Sequence, residues 1–569
     1  MTIMAVDAKA ITPKKDPINA QMADKKWWHD AVVYQIYPRS FMDTNNDGIG
    51  DLAGIISKLN YLQRLGINVI WLSPVFKSPM DDNGYDISDY QDIAPEFGTL
   101  AEMDSLIAEA GQRDIKIMMD LVVNHSSDQH PWFVEARTSK DNPYRDYYIW
   151  SQPNADGSAP NDFHSYFGGS GWQFDKLTGE YYFHQFSKKQ PDLNWENPAV
   201  QQEVHSMMNW WLDRGIGGFR MDVIDLLGKQ VDQQIMTNGV RLHPLLQAMH
   251  KATFADRDLL TVGETWSATP EIAKLYCDPA RKELSMVFQF EHITITFDPV
   301  QGKWKPRAFD LVEFKQVISK WQTEMANCGW NSLFWNNHDL PRVVSKYGDP
   351  GGYRVQSAKM LATALHFLKG TPYIYQGEEI GMTNVQFDSI DDYQDIESLN
   401  LYKERTAAGV PHEEMMQGIY ENGRDNARTP MQWDNTMYAG FSEAQPWLKV
   451  NPNYSEINVA SALRDSESIF YHYQKLIQLR KSQAVMVYGD YQALFADHTK
   501  VFAYQRTLGD EQVLVMNNFT GESVSLELAA SLQGLKGKCL ISNYAPRDEL
   551  LAELNLAPYE SFAIAVEKS

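Results

Sequence analysis

The 569-residue sequence predicts an α/β fold: a (β/α)8 TIM barrel, an inserted domain after the third strand, and a C-terminal antiparallel β-sandwich domain. Three observations lead there. From Ala31 onward, short apolar runs alternate with amphipathic segments, as a parallel sheet wrapped by helices requires. After the third run, a long stretch rich in Gly, Pro, Asn, Asp and aromatic residues breaks the alternation. Beyond about Lys481 the apolar runs become short and turn-separated, the pattern of an antiparallel β domain. Periodicity alone leaves a doubly wound sheet as the rival arrangement.

The eight predicted barrel strands are Val32–Tyr37, Asn68–Ser73, Lys116–Val123, Gly218–Val223, Leu259–Gly263, Ser285–Phe290, Leu333–Asn337 and Pro372–Tyr375. Most are unbroken apolar runs, which suits strands buried on both faces. The clearest helix is predicted over Leu52–Leu65, where Leu52, Ile55, Ile56, Leu59, Leu62 and Leu65 share one face and Gly66 stops the run. Residues 26–125 and 195–481 are assigned to the barrel, 126–194 to the insertion and 482–569 to the C-terminal domain. A second excursion, about Thr383 to Asn435, follows the eighth strand. In the C-terminal part, Lys500–Arg506, Val513–Phe519 and Ser561–Val566 read as strands. Residues 1–25, polar and carrying Pro13, Lys14, Lys15 and Pro17, read as a flexible tail without the apolar stretch of a signal peptide.

Composition narrows the function. A net charge of −23 argues against nucleic acid or anionic membrane as partner, since both need basic patches. No apolar run reaches the length of a membrane span. Three scattered thiols, Cys277, Cys328 and Cys539, form no disulfide framework, so the cytoplasm is the expected compartment. The chain is expected to act as a monomer on a small neutral substrate.

Three acids stand at or just past predicted strand ends: Asp222 in GFRMDV, Glu264 in VGET and Asp339 in WNNHD. In a barrel these ends converge on the face that carries activity. Glycoside hydrolysis needs one carboxylate to attack or activate water and one carboxylic acid to protonate the leaving oxygen. A further carboxylate can stabilise the cationic centre. An acid at a strand end can equally cap the next helix, but Arg220 and His338 beside two of the three weaken that reading.

These blocks, with DLVVNH at Asp120–His125, resemble the four conserved blocks of the α-amylase superfamily, glycoside hydrolase family 13. The likeness covers about Lys26 to the C-terminus. WWHDAVVYQIYPRSFMDTNNDGIGDL, KKQPDLNWEN and GRDNARTPMQWD resemble its oligo-1,6-glucosidase and dextran-glucosidase branch, most of all the bacterial glucan 1,6-α-glucosidases. The resemblance implies that Asp222 is the nucleophile, Glu264 the general acid and base, and Asp339 the ligand of the ring hydroxyls. Arg220 would keep Asp222 ionised, and Glu264 would need its pKa raised. It further implies that Asp82 and Arg424 close the pocket, that Tyr85 stacks under the glucose, and that His125 and His338 bond its hydroxyls. Phe167, Phe186 and Gln190 would supply the wall. Such a blind pocket makes the enzyme exo-acting.

Val223, directly after the nucleophile, resembles the α-1,6-specific members; Ala or Thr there resembles the α-1,4-specific ones. A β-branched side chain would narrow the next subsite, and the extra methylene of an α-1,6 link lets the following sugar swing away. Val is also simply a good strand residue. Asp225, in DVIDLLGK, resembles the glucan-cleaving members. Asp43, Asn45, Asp47, Ile49 and Asp51 fit D-x-N-x-D-x-I-x-D, the first nine positions of a calcium loop, so a structural Ca2+ or Mg2+ is expected. A plain Asx-rich turn is the alternative.

Rival activities share the scaffold. A trehalose-6-phosphate hydrolase needs cations for the phosphate. A sucrose isomerase carries an Arg/Asp-rich stretch where this chain has ITITFDPVQGKWKP. A catalytically dead binding relative would lack the three acids, which are present here.

Overall fold

The computed structural model describes residues 25–567, so the expected tail falls outside the described residues except for Lys25. The eight strands are β1 (Val33–Ile36), β2 (Val69–Leu72), β3 (Lys116–Leu121), β4 (Gly218–Met221), β5 (Leu260–Glu264), β6 (Met286–Phe288), β7 (Ser332–Leu333) and β8 (Thr371–Tyr375). They form one sheet in the order β6-β5-β4-β3-β2-β1-β8-β7. A parallel bridge between Val287 and Asn331 joins its two edges and closes the cylinder. That closure excludes the doubly wound sheet, whose edges stay open. Every residue of β1, β2, β4, β5, β6 and β8 is buried, which explains the unbroken apolar runs.

Parallel register aligns the strands so that Asp120 lies opposite Arg220, and Gly218 opposite Leu260. Gly218 is demanded by that second approach: a Cβ there would stand 1.8 Å from the Leu260 carbonyl oxygen.

The predicted helix Leu52–Leu65 is two helices, α1 (Leu52–Ser57) and α2 (Leu59–Leu65), broken at Lys58. Its apolar face stays buried, but the Lys58 ammonium is drawn over the Trp433 ring, 4.2 Å from the centroid. A tertiary contact thus overrides a smooth helical period. Asp51 caps α1 by accepting from the Gly54 N–H.

The insertion holds a small antiparallel sheet, with Glu180–Phe183 between Trp150–Ser151 and Trp172–Asp175. The excursion after β8 is largely helical, with helices Ile396–Ala407, His412–Asn422 and Asp425–Arg428. Beyond the barrel, strands β9 (Asp490–Leu494), β10 (Val501–Leu508), β11 (Glu511–Asn518), β12 (Val524–Glu527), β13 (Gly537–Ser542), β14 (Glu553–Leu556) and β15 (Ser561–Val566) follow. An antiparallel sheet in the order β9-β10-β11-β15-β13 pairs with a β12–β14 ribbon around its own core, which includes Leu514, Leu526, Leu554 and Phe562. Lys315 of the barrel fastens this domain by donating to the carbonyls of Phe495, His498 and Val501.

Candidate active site

Strand ends β4 and β5 and the segment after β7 deliver Asp222, Glu264 and Asp339 to one cavity of about 450 Å³. Arg220, buried on β4, organises two of them. Its Nη1 pairs with Asp120 at 2.9 Å and Asp222 at 2.7 Å, and its Nη2 with Glu264 at 2.7 Å. Trp71 and Tyr85 also donate to Asp120, at 3.1 and 3.0 Å. One guanidinium therefore faces three carboxylates. Burial pushes the Asp222 carboxyl well above the usual range, Arg220 pulls it down, and Glu264 and Asp120 push it further up. Arg220 acts on Asp222 in the expected direction, favouring the ionised form, against burial and the neighbouring acids. Its single charge is shared among three carboxylates.

Glu264 is gripped from two more sides. Trp266 Nε1 donates to Oε1 at 3.0 Å, and the Val223 N–H donates to Oε2 at 3.1 Å. The second bond exists because Val223 is not in the strand at all. It sits at φ 37°, ψ 47°, the left-handed region, where a β-branched residue is strained. Of the two explanations for Val223, strand propensity fails, and the turn directs its amide onto Glu264.

Asp339 is opposite in charge balance. Burial would raise its pKa, but His338, Arg424, Arg428 and Arg220 outweigh that and hold the carboxyl far below the usual range. His338 Nε2 stands 3.1 Å from Oδ2, and Arg428 Nη2 is 2.7 Å from Oδ1. Gln35 Nε2 donates to His338 Nδ1 at 2.8 Å, which leaves the proton on Nε2. Burial lowers the His338 pKa to about 3, so the ring is neutral.

The far wall is closed by charge. Arg424 Nη2 contacts Asp82 at 3.1 Å and Asp395 at 2.6 Å; Nε contacts Asp395 at 2.7 Å and Glu397 at 3.5 Å. Its Nη1 reaches Asp339 at 3.4 Å, and its guanidinium lies 5.0 Å from the Phe167 ring centroid. Burial raises the Asp82 pKa to about 6 against the pull of Arg424 and Arg428. Tyr85 stacks flat on His338, with centroids 5.2 Å apart, and Phe186 leans on His125 and Phe167.

Two expected lining residues stand one layer back. Gln190 does not line the cavity; it is fully buried and holds Asp82 Oδ2 from behind at 3.2 Å. Arg220 likewise acts through the carboxylates it pairs. His125 does line the cavity, but Asn124 Nδ2 donates to its Nδ1 and its Nε2–H points to the Tyr85 carbonyl, so it serves mainly as wall. Asp225 lines the mouth, where Ser267 donates to it at 2.7 Å.

Sequence reading missed Asp395, Glu397, Arg428, Lys303 and Trp266. Arg428 lies inside the quoted GRDNAR run, and Trp266 two residues after Glu264, so both were within reach. Asp395 and Glu397 sit in a segment without a distinctive pattern and meet Arg424 only through the fold. At the mouth, Trp266 stacks on Phe290 at 3.9 Å while 41% exposed, and Lys303 pairs with Glu397 at 2.6 Å.

The α-amylase catalytic-domain model matches residues 35–489, and the C-terminal domain model of the α-amylase SusG matches residues 501–562. A palatinase of Erwinia rhapontici is 62% identical over 95% of this chain and 99% of that protein. A glucan 1,6-alpha-glucosidase of Streptococcus pneumoniae is 57% identical, over 95% of this chain and 99% of its own length. The crystal structure of a Bacillus licheniformis trehalose-6-phosphate hydrolase superposes with a TM-score of 0.91 at 47% identity, covering 96% of this chain and all of that one. A family match across the barrel, and relatives alike over nearly the whole chain, carry the conclusion that this protein belongs to the α-amylase family and is a glycoside hydrolase.

Proposed function

We propose that the protein is a retaining, exo-acting α-glucosidase that releases glucose from the non-reducing end of α-1,6-linked oligosaccharides and glucans, as a monomer in the cytoplasm. The observation that carries this reading is the ion pair of Arg424 with Asp82 across one side of the cavity, backed by Asp395, an arrangement suited to stopping a chain from threading through. Asp222 Oδ1 is held by Arg220, so Oδ2, which accepts no hydrogen bond among the described residues, is the nucleophilic oxygen. It attacks the anomeric carbon while Glu264 gives its proton to the departing oxygen; Glu264 then takes a proton from the water that releases glucose. Glu264 and Asp222 answer to one guanidinium, an arrangement suited to the roughly 5–5.5 Å carboxyl spacing of retaining enzymes. Asp339, fixed in the ionised state, accepts from ring hydroxyls and stabilises positive charge at the anomeric carbon.

Val223 at the mouth supports the α-1,6 preference, and relatives named for that linkage support it further. The likeness to a palatinase is a reason to include palatinose among the substrates to test. Trehalose-6-phosphate hydrolysis is another activity among the relatives. Charge speaks against it: Asp82, Asp222, Asp225, Glu264, Asp339 and Glu397 line the cavity against Lys303 and Arg424, and both cations are already paired with carboxylates. A phosphate dianion would enter against that field. Initial rates on isomaltose, palatinose, dextran, maltose and trehalose 6-phosphate test the proposal. Fast cleavage of maltose with none of isomaltose would overturn it.

The loop after β1 supports a structural Ca2+ or Mg2+. Asp43 accepts from the N–H groups of Asn45, Asn46 and Gly48, and Asp47 from that of Ile49, so the loop is curled on its own side chains. No three His, Cys, Asp or Glu side chains converge as a metal cluster among the described residues, so the set relies on mixed donors. Asp43, Asn45, Asp47, the Ile49 carbonyl and Asp51 would hold the ion, which would pin the loop without touching the reaction.

A further inference from the structure

A cavity larger than the catalytic pocket lies at the opposite end of the barrel. It measures about 640 Å³, against about 450 Å³ for the catalytic pocket. Leu259 and Thr261 at the start of β5, the segment before β7, and Lys369 just before β8 border it. Trp28 and Trp330 form an aromatic wall, with His29 stacked on Trp330 at 3.8 Å.

In a chain of net charge −23 this cavity stands out for its cations. Lys26, Arg257, Lys282 and Lys369 border it; Arg257 pairs with Asp213, whereas none of the three lysines has a carboxylate within ion-pair distance among the described residues. Lys369 is the telling one. Its side chain is buried, with 7% of the residue exposed, and its amine donates only to the Ala326 carbonyl, at 2.7 Å. An ammonium group has three donors and is costly to bury without a counter-charge. Burial, helped by Arg506 and only partly opposed by Asp490, lowers its pKa to about 8.

The acids at the rim do not supply it. Glu283 is taken by Arg281 at 2.8 Å, His243 at 2.7 Å and Gln247 at 3.0 Å. Asp278 accepts from the Ala280 N–H at 2.9 Å and, with Asp258, stays a rim carboxylate, so the three lysines face two acids that no cation pairs among the described residues. Asp258 also lies on the rim, and its backbone carbonyl accepts from Trp27.

We propose that this cavity is a second ligand site, separate from the catalytic pocket, which takes a small organic phosphate. The dianion would sit against Lys369, flanked by Lys282 and Lys26, with its body along Trp28 and Trp330. Three ammonium groups suit a phosphate monoester, with two charges and three terminal oxygens, better than a lone carboxylate.

Calorimetry and thermal melting of the full chain test this, with glucose 6-phosphate, inorganic phosphate and glucose as probes. Glucose 6-phosphate is expected to bind and raise Tm, inorganic phosphate to bind more weakly, and glucose to leave Tm unchanged at equal concentration. Binding should not compete with isomaltose hydrolysis. Lys369→Met, which keeps the stem and removes the charge, should weaken Kd at least tenfold. Should that variant fail to fold, the double variant Lys26→Ala/Lys282→Ala should weaken it about threefold or more. The proposal is overturned if no phosphate-bearing probe binds the parent. It is equally overturned if binding persists undiminished in the lysine variants or is competitive with isomaltose.

Discussion

Asp395→Asn isolates the support behind the pocket wall. Asp395 does two jobs: it caps the helix Ile396–Ala407 by accepting from the N–H groups of Glu397 and Ser398, and it holds Arg424 at Nε and Nη2. Asn caps helices well, but it keeps one of the two acceptor oxygens that Asp395 uses here, so the substitution spares the first job in part. It removes the charge from the second. Hydrogen bonds to charged groups are worth about 1.5–3 kcal/mol, and a neutral acceptor recovers only part of that. Arg424 is then free to turn toward Glu397, loosening its hold on Asp82 and Asp339, which stand 3.1 and 3.4 Å from it. If about 1.5–3 kcal/mol of transition-state positioning is lost, kcat/KM on isomaltose falls about tenfold to 150-fold. Because Asp339 acts on the distorted sugar, much of the loss should appear in kcat rather than KM. Steady-state kinetics with a parallel thermal melt decides it. A kcat/KM within a factor of two of the parent, at equal Tm, would show that Asp395 is only a helix cap.

Four other outcomes follow from the same geometry. Asp222→Ala should fold with near-parental Tm and lose at least about 10⁴-fold in kcat, read by initial rates on isomaltose. Val223→Ala should relieve the left-handed β-branched strain and widen the mouth, raising the maltose-to-isomaltose ratio of kcat/KM about tenfold; an unchanged ratio removes Val223 from the linkage argument. Buried Glu378, whose Oε1 accepts from Tyr473 at 2.6 Å, has its pKa raised to about 8 by burial and by Glu379. The native state therefore holds this proton more tightly than the unfolded chain, and stability is lost as pH rises from about 4.5 to 8. Glu378→Gln should gain in Tm relative to the parent across that window, measured by melts at pH 5, 6.5 and 8. Chelation should lower Tm by several degrees and added Ca2+ restore it, with Asp43→Ala insensitive to both; a chelator-insensitive parent would leave the loop a plain turn.

Much of this was legible before any coordinates. The barrel strands announced themselves because burial on both faces forbids polar alternation, and β15 at Ser561–Val566 lies where its apolar run put it. Asp222, Glu264 and Asp339 were readable because each closes a short, distinctive run at a strand end, and backbone geometry alone carries such ends to one face. Lys58 was not readable, because the Trp433 that breaks the helix there lies far along the chain.

What the amino-acid order determined on its own is whatever depends on neighbours in the chain: strand burial, the barrel with its appended β domain, and the identity of the three acids. Tertiary structure alone decided how charge is shared. Only the folded ladder brings Asp120 beside Arg220, making one cation serve three carboxylates, and only the fold brings Asp395 to Arg424. It also decided that Val223 leaves the strand for a strained turn. Coulomb energy depends on distance through space and on burial, and neither is written in sequence separation.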